Sequence, residues 1–268
     1  MVHAHWGLEK TPFPSGLDPR LFYEGVSQRE ALARLRYLVE NDRRMGLVLG
    51  APGLGKSLLL HVFASECRQQ GYRIAYCDLL GVSVREFYWL LGNQLGAAVR
   101  IEDDVPRLFR QVSDRLQENR LQGVPTIVLL DNADQAGINL ITQLERLARV
   151  HPSSKRSLSL VLTSNVHSIA HLGEPLLDLV DLRIDLDPWD ELDTIGYLQL
   201  ALIEAGSDRP LFDDQALSEL HRLAVGVPRK VSRLADYSLL AGSSCEQEIV
   251  DAATVLSVHK SLSLPHPA

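Results

Sequence analysis

The stretch "MGLVLGAPGLGKSLLL", residues 45–60, decides how the rest of the chain is read. Its opening is a short apolar run of strand type, and its close has the makings of a helix. Between them Gly50, Gly53, Gly55, Lys56 and Ser57 satisfy the pattern G-x-x-x-x-G-K-[ST] in the strand–loop–helix setting that gives the pattern its meaning. The glycines let the backbone take positive φ and turn its N–H groups inward, so that an anion nest forms at a helix N-terminus. Lys56 then sets an ammonium against the β- and γ-phosphates of a nucleoside triphosphate, and the Ser57 hydroxyl is a candidate Mg²⁺ ligand. The expected cradle is Gly50, Ala51, Pro52, Gly53, Leu54, Gly55, Lys56, Ser57 and Leu58.

Outward from this loop, apolar runs rich in β-branched residues alternate with stretches of helical period, the mark of βαβ units and a parallel sheet. The expected strands are 45–50, 72–79, 125–131, 158–164 and 182–186. "SQRE" at 27–30 and "SVRE" at 83–86 have capping-box spacing and should open helices. From 190 to 260 only helical segments follow, so the expected organisation is an N-terminal segment and helix (1–44), an αβα core (45–189), a small all-helical domain (190–260) and a frayed tail (261–268).

Asp131 ends the run "TIVLLD", which places its carboxylate at the C-terminal edge of the sheet, where open α/β sheets bind ligands. It is the second candidate Mg²⁺ ligand. The next residue is Asn132, whose carboxamide can orient a water but cannot take its proton. Asn132 and Asp134 are thus both catalytic candidates, and a slow, switch-like hydrolysis is expected; replacing Asn132 by glutamate should speed turnover. "LSLVLTSN" reads as a strand beside the loop strand that ends in Thr163, Ser164 and Asn165, with Asn165 the main candidate for sensing the γ-phosphate. In "AVGVPRKVSRLAD", Pro228 suits a first helical turn, where the dipole disfavours the cations Arg229 and Lys230 unless a polyanion faces them.

With 46% hydrophobic and 23% charged residues and no apolar run of membrane length, the 268-residue chain reads as soluble and without an integral membrane segment. Its start lacks a secretory signal, so a cytoplasmic location is expected. Cys67, Cys77 and Cys245 form no CxxC pair, which suits a reducing compartment. A formal charge of -7 gives no global pull toward nucleic acid. His167 and His171 lack companions for a transition-metal site.

Taken in order, the loop, the acid, the polar strand end and the "GVPR" helix resemble an AAA+ ATPase, specifically the ExeA-type ATPases of the general secretion pathway. "HWGLEKTPFPSGLDPRLFYEGVSQREALARLRYLVE" is similar to that family's opening, "RIDLDPW" to its interdomain link, and "LFDDQALSELHRLAVGVPRKVSRLADYSLLAG" to its lid. The resemblance implies a P-loop core of AAA+ type with a helical lid and ATP and Mg²⁺ as cofactors. It also implies magnesium roles for Ser57 and Asp131, a sensor role for Arg229, and an N-terminal segment close to ATP. Phe13, Phe22 and Tyr23 are read there as packing residues. The partners it implies are a protein, of the kind of a membrane-associated secretion component, and further copies of the chain. The family motif D-E-A-Q is here Asp131-Asn132-Ala133-Asp134, and Leu179 stands where a finger arginine is sought, which leaves Arg146, Arg149 and Arg183 as candidates. An alternative is a DNA-associated regulator similar to the TnsC and TniB transposition ATPases, with arginines 29, 34, 36, 43 and 44 on a phosphate track interrupted by Glu30, Glu40 and Asp42. A third is a protein that binds ATP for stability and does not hydrolyse it.

Overall fold

A strand covered by helices on both faces must be apolar at nearly every position, and the central strands obey this. In a computed structural model that describes residues 2–150 and 158–262, β1 (Met45–Leu49), β3 (Thr126–Asp131) and β4 (Leu158–Ser164) are buried throughout. The edge strands β2 (Arg73–Asp78) and β5 (Leu182–Asp185) are only partly buried. All pairings are parallel, in the order β2-β3-β4-β1-β5. Each expected strand is present, within a residue at either end.

The helices are α1 (Val2–Trp6), α2 (Val26–Glu40), α3 (Lys56–Gln69), α4 (Val84–Leu95), α5 (Val105–Leu121), α6 (Ile138–Ala148), α7 (Glu174–Leu177), α8 (Glu191–Glu204), α9 (Asp214–Ala224), α10 (Pro228–Ser244) and α11 (Ala252–Leu262). Alternate residues of each strand feed opposite faces. Met45, Leu47, Leu49, Val128 and Leu130 pack against α4, α5 and α6, while Val48, Ile127, Leu129 and Val161 pack against α2 and α3. At about 1.5–3 kcal/mol for each fully buried large aliphatic side chain, these two faces are the main stabilising layers of the core.

A third cluster unites α8–α11 with Trp6, Leu8 and Phe13 from the N-terminus. The Trp6 indole N–H donates to the Leu239 carbonyl at 2.9 Å, so α1 is fastened to α10. Of the tail expected at 261–268, residues 263–268 lie outside the described residues.

Ser83 caps α4 as its capping box predicts, accepting from the Glu86 amide. The parallel expectation for Ser27 fails, because α2 begins at Val26 with Gly25 as its cap, two residues before Ser27. Asp193 accepts from the Val26 amide in place of a local cap, and the Ser27 hydroxyl accepts from the Asp187 amide. Tertiary partners have thus taken over the local signal; a side chain at Gly25 would lie under 3.0 Å from Gln28, Asp193 and Trp189.

Candidate functional site

The loop after β1 works through its glycines. Gly53 and Gly55 have φ of +90° and +92°, and left-handed Gly55 is the residue from which α3 starts. The first-turn N–H groups of α3, which have no partner within the helix, therefore open onto the concavity of the loop. Lys56 folds back across it and donates from Nζ to the carbonyls of Gly50 (2.7 Å) and Ala51 (3.1 Å). Burial holds its ammonium below the ordinary lysine value; Asp134 and then Asp131 oppose that shift, and Arg229 adds to it. Ser57 and Leu58 follow, half-buried in the first turn of α3.

Asp131, 2% exposed, is held by donors from three directions. Oδ1 accepts from the Thr163 hydroxyl and from the Asn132 amide (3.1 Å), and Oδ2 accepts from the Tyr76 hydroxyl at 2.8 Å. Burial, followed by the charge of Asp131, pushes the Tyr76 phenol well above its usual range, so it remains a donor.

Asn132 and Asp134 part company at this point. Asn132 is left-handed, with φ of +54°, and its Nδ2 donates to Asp78 Oδ1 at the end of β2, at 2.9 Å. Since β2 flanks β3 on the side away from β1, this amide is turned from the loop. Asp134, 7% exposed, lies on the opposite side, where Oδ1 accepts from the Asn165 amide at 3.2 Å and Oδ2 from Gln135 Nε2 at 2.9 Å. Of the two candidates, Asp134 is the one brought to the Lys56 side.

Asn165 uses Oδ1 to cap the short helical stretch that follows, accepting from the His167 amide, while Nδ2 is its remaining donor. Thr163 and Ser164 are fully buried, Thr163 on Asp131 and Ser164 on the Asn165 carbonyl. Arg229 reaches the loop by its backbone, its N–H donating to the Gly53 carbonyl at 3.2 Å, and its side chain is exposed. A side chain at Gly53 would meet Val227 at 3.0 Å and Arg229 at 3.2 Å, so α10 rests directly on the loop. Lys230 is exposed.

The candidate finger arginines have other partners: Arg183 pairs with Asp185, and Arg146 sits over the Phe109 ring at 3.5 Å. Arg149 ends α6. The N-terminal aromatics pack, Phe13 into the helical cluster and Phe22 against the α2–α3 side of the core. Tyr23 lies 5.5 Å from Trp189 and 5.9 Å from Tyr197, ring to ring.

Tyr76 and Asp78 escape a reading of the sequence. Their one signal is that β2 and β3 both end in aspartate, and the two strands pair with Asp78 opposite Asp131.

A glycine loop opening a helix, an acid at the end of a nearby strand and a second helix seated on the loop make the arrangement of a P-loop fold. Residues 39–169 match the family described as an AAA domain. Over 245 residues the chain is 27% identical to general secretion pathway protein A of Aeromonas hydrophila, covering 90% of this chain and 45% of that protein. The chain therefore spans about half the length of that curated relative, which it resembles as an AAA+ P-loop protein of ExeA type.

Solved structures share the fold. Cdc6p of Pyrobaculum aerophilum is 15% identical with a TM-score of 0.72, covering 96% of this chain and 72% of that one. The Aeropyrum pernix ORC1 protein, solved in complex with DNA, is 16% identical with a TM-score of 0.68, covering 92% and 68%. The Thermotoga maritima RuvB Holliday junction branch migration motor is 15% identical with a TM-score of 0.59, covering 94% and 74%. Among the described residues no helix is long and apolar enough to cross a membrane.

Proposed function

We propose that this protein binds ATP with Mg²⁺ at residues 50–58 and hydrolyses it slowly, as a switch or assembly factor that acts on a protein partner. The observation that carries the reading is the placement of one ammonium, Lys56, between an amide-lined loop and two buried carboxylates, Asp131 and Asp134. A triphosphate replaces the loop carbonyls as the partner of Lys56, and the first-turn amides of α3 take its oxygens.

The donor set fits magnesium, since the Ser57 hydroxyl and the Asp131 carboxylate are hard oxygen ligands. Magnesium, when bound, would neutralise charge on the β- and γ-phosphates.

Asp134 carries the proton from the attacking water, because it is the carboxylate on the loop side, and the remaining donor of Asn165 orients the γ-phosphate. Asn132, committed to Asp78, has no part in that step. Because no glutamate stands at the second position of the motif and the shorter Asp134 from the following turn must do its work, turnover is expected to be slow, well under about one per second. Helices α8–α11 act as the lid, with Arg229 as the sensor of loop occupancy.

Support for the DNA-associated alternative is weak. Arg34 pairs with Glu30, Arg36 makes a two-pronged contact with Glu66, and Arg29 donates to the Glu24 carbonyl. ATP binding and phosphate release on wild type, Lys56→Ala and Asp134→Ala, with and without DNA, test the proposal. Lys56→Ala should lose binding, and Asp134→Ala should keep it while losing turnover about 10²-fold. Wild-type turnover of several per second, or a steep DNA dependence that salt abolishes, would refute it.

A further inference from the structure

We propose that Tyr76 is a positioning residue, holding the Asp131 carboxylate in the orientation that a magnesium ion requires; this rests on the ATP and Mg²⁺ reading above. A carboxylate has about four acceptor directions and a soft, roughly two-fold torsion about its last bond. Thr163 and the Asn132 amide fix Oδ1 from one side, and the Tyr76 hydroxyl closes on Oδ2 from the other at 2.8 Å. The carboxylate plane is thereby set, and the acceptor direction left over is the one available to a metal or to its water. Outer-sphere partners of this kind fix the aim of a ligand and typically change metal affinity about 10–100-fold.

Tyr76 is itself unusually well anchored. It stands on the edge strand β2, where outward backbone groups ordinarily lack a neighbour. The Gln94 side chain on α4 supplies one: Oε1 accepts from the Tyr76 amide at 2.7 Å, and Nε2 donates to the Tyr76 carbonyl at 2.5 Å. The ring lies against His61 of α3, centroid to centroid at 4.5 Å. Backbone and ring are thus pinned separately, so the hydroxyl cannot slide along the edge strand or swing out. Tyr76 is half-buried, and a main-chain carbonyl or water would satisfy a hydroxyl in that setting. Here the partner is the carboxylate that ends β3.

The test uses the whole chain, with Tyr76→Phe keeping the ring on His61 and removing the hydroxyl alone. The dissociation constant of ATP is measured by fluorescence titration with excess Mg²⁺ and again with excess chelator. Mn²⁺ relaxation then reports metal held at the site. Tyr76→Phe should weaken binding about tenfold with metal and leave chelator binding unchanged, and should also loosen Mn²⁺. Gln94→Met, which frees the backbone clamp without touching Asp131, should give a smaller loss of the same metal-dependent kind. Equal changes with and without metal, or no change in either, would overturn the role of Tyr76. If wild type itself gains nothing from Mg²⁺, the underlying reading falls instead.

Discussion

Asn132→Glu tests whether the missing glutamate can simply be put back. The residue stands at φ +54°, where asparagine is tolerated and an ordinary side chain costs about 1 kcal/mol. Its amide lies 2.9 Å from Asp78 Oδ1, so an introduced carboxylate would face another on the β2 side. Two unit charges about 4 Å apart repel by about 1 kcal/mol in water, the figure that applies because Asp78 is exposed. With the hydrogen bond to Asp78 lost as well, the variant should be about 2–3 kcal/mol less stable and melt about 5–10 °C lower.

The structure therefore argues against the expectation that glutamate speeds turnover: a carboxylate at 132 would stand on the β2 side, turned from the loop, and phosphate release should stay at the wild-type rate. In a double-mutant cycle followed by melting and phosphate release, Asp78→Asn should destabilise wild type slightly and stabilise the Asn132→Glu background, with a coupling of about 1 kcal/mol. Coupling below about 0.3 kcal/mol, or acceleration by Asn132→Glu, would refute the argument.

Burial lowers Lys56 from the ordinary value of 10.5, so as pH rises it sheds its proton before an exposed lysine would. The dissociation constant for ATP should accordingly grow on the alkaline side from a point below 10.5, while the ligand-free protein becomes more stable over the same window because a buried charge is removed. Lys56→Arg, which stays charged, should lose this pH dependence in the same titration; parallel profiles would contradict it. Gly226, at φ +64°, donates no room to a side chain, since an added Cβ would lie 2.0 Å from the Trp189 carbonyl oxygen. Gly226→Ala should cost about 2–4 kcal/mol by thermal melting and weaken ATP binding, because Val227 and Arg229, which follow it, rest on Gly53.

The strands were legible because parallel strands buried on two faces leave unbroken apolar runs, and the loop was legible because phosphate chemistry imposes its own spacing. What stayed hidden was non-local. Ser27 carries a local capping signal that Asp193 and Asp187, over 150 residues away, redirect. Trp6 and Phe13 read only as apolar, and nothing near them in sequence says that α8 and α10 are what they cover. Tyr76 is one more aromatic in a strand until β2 is set beside β3, whereupon its hydroxyl reaches Asp131.

The motif Asp131-Asn132-Ala133-Asp134 shows why position along the chain was a poor guide to chemistry here. A left-handed residue at 132 turns the backbone sharply, and the three residues after it form a single tight helical turn. Residues 132 and 134 consequently flank Asp131 on opposite sides, one toward β2 and the other toward β4, although only one residue separates them. Adjacent strands are about 4.8 Å apart, so a carboxylate that changes side is displaced by more than the reach of a hydrogen bond. A base sought at the second position of the motif is absent, yet the loop side of β3 does hold an acid, acting on Lys56 ahead of Asp131 itself. On this geometry Asn132 takes the left-handed turn and satisfies Asp78, and the single helical turn after it sets Asp134 on the side of Asn165 and Lys56.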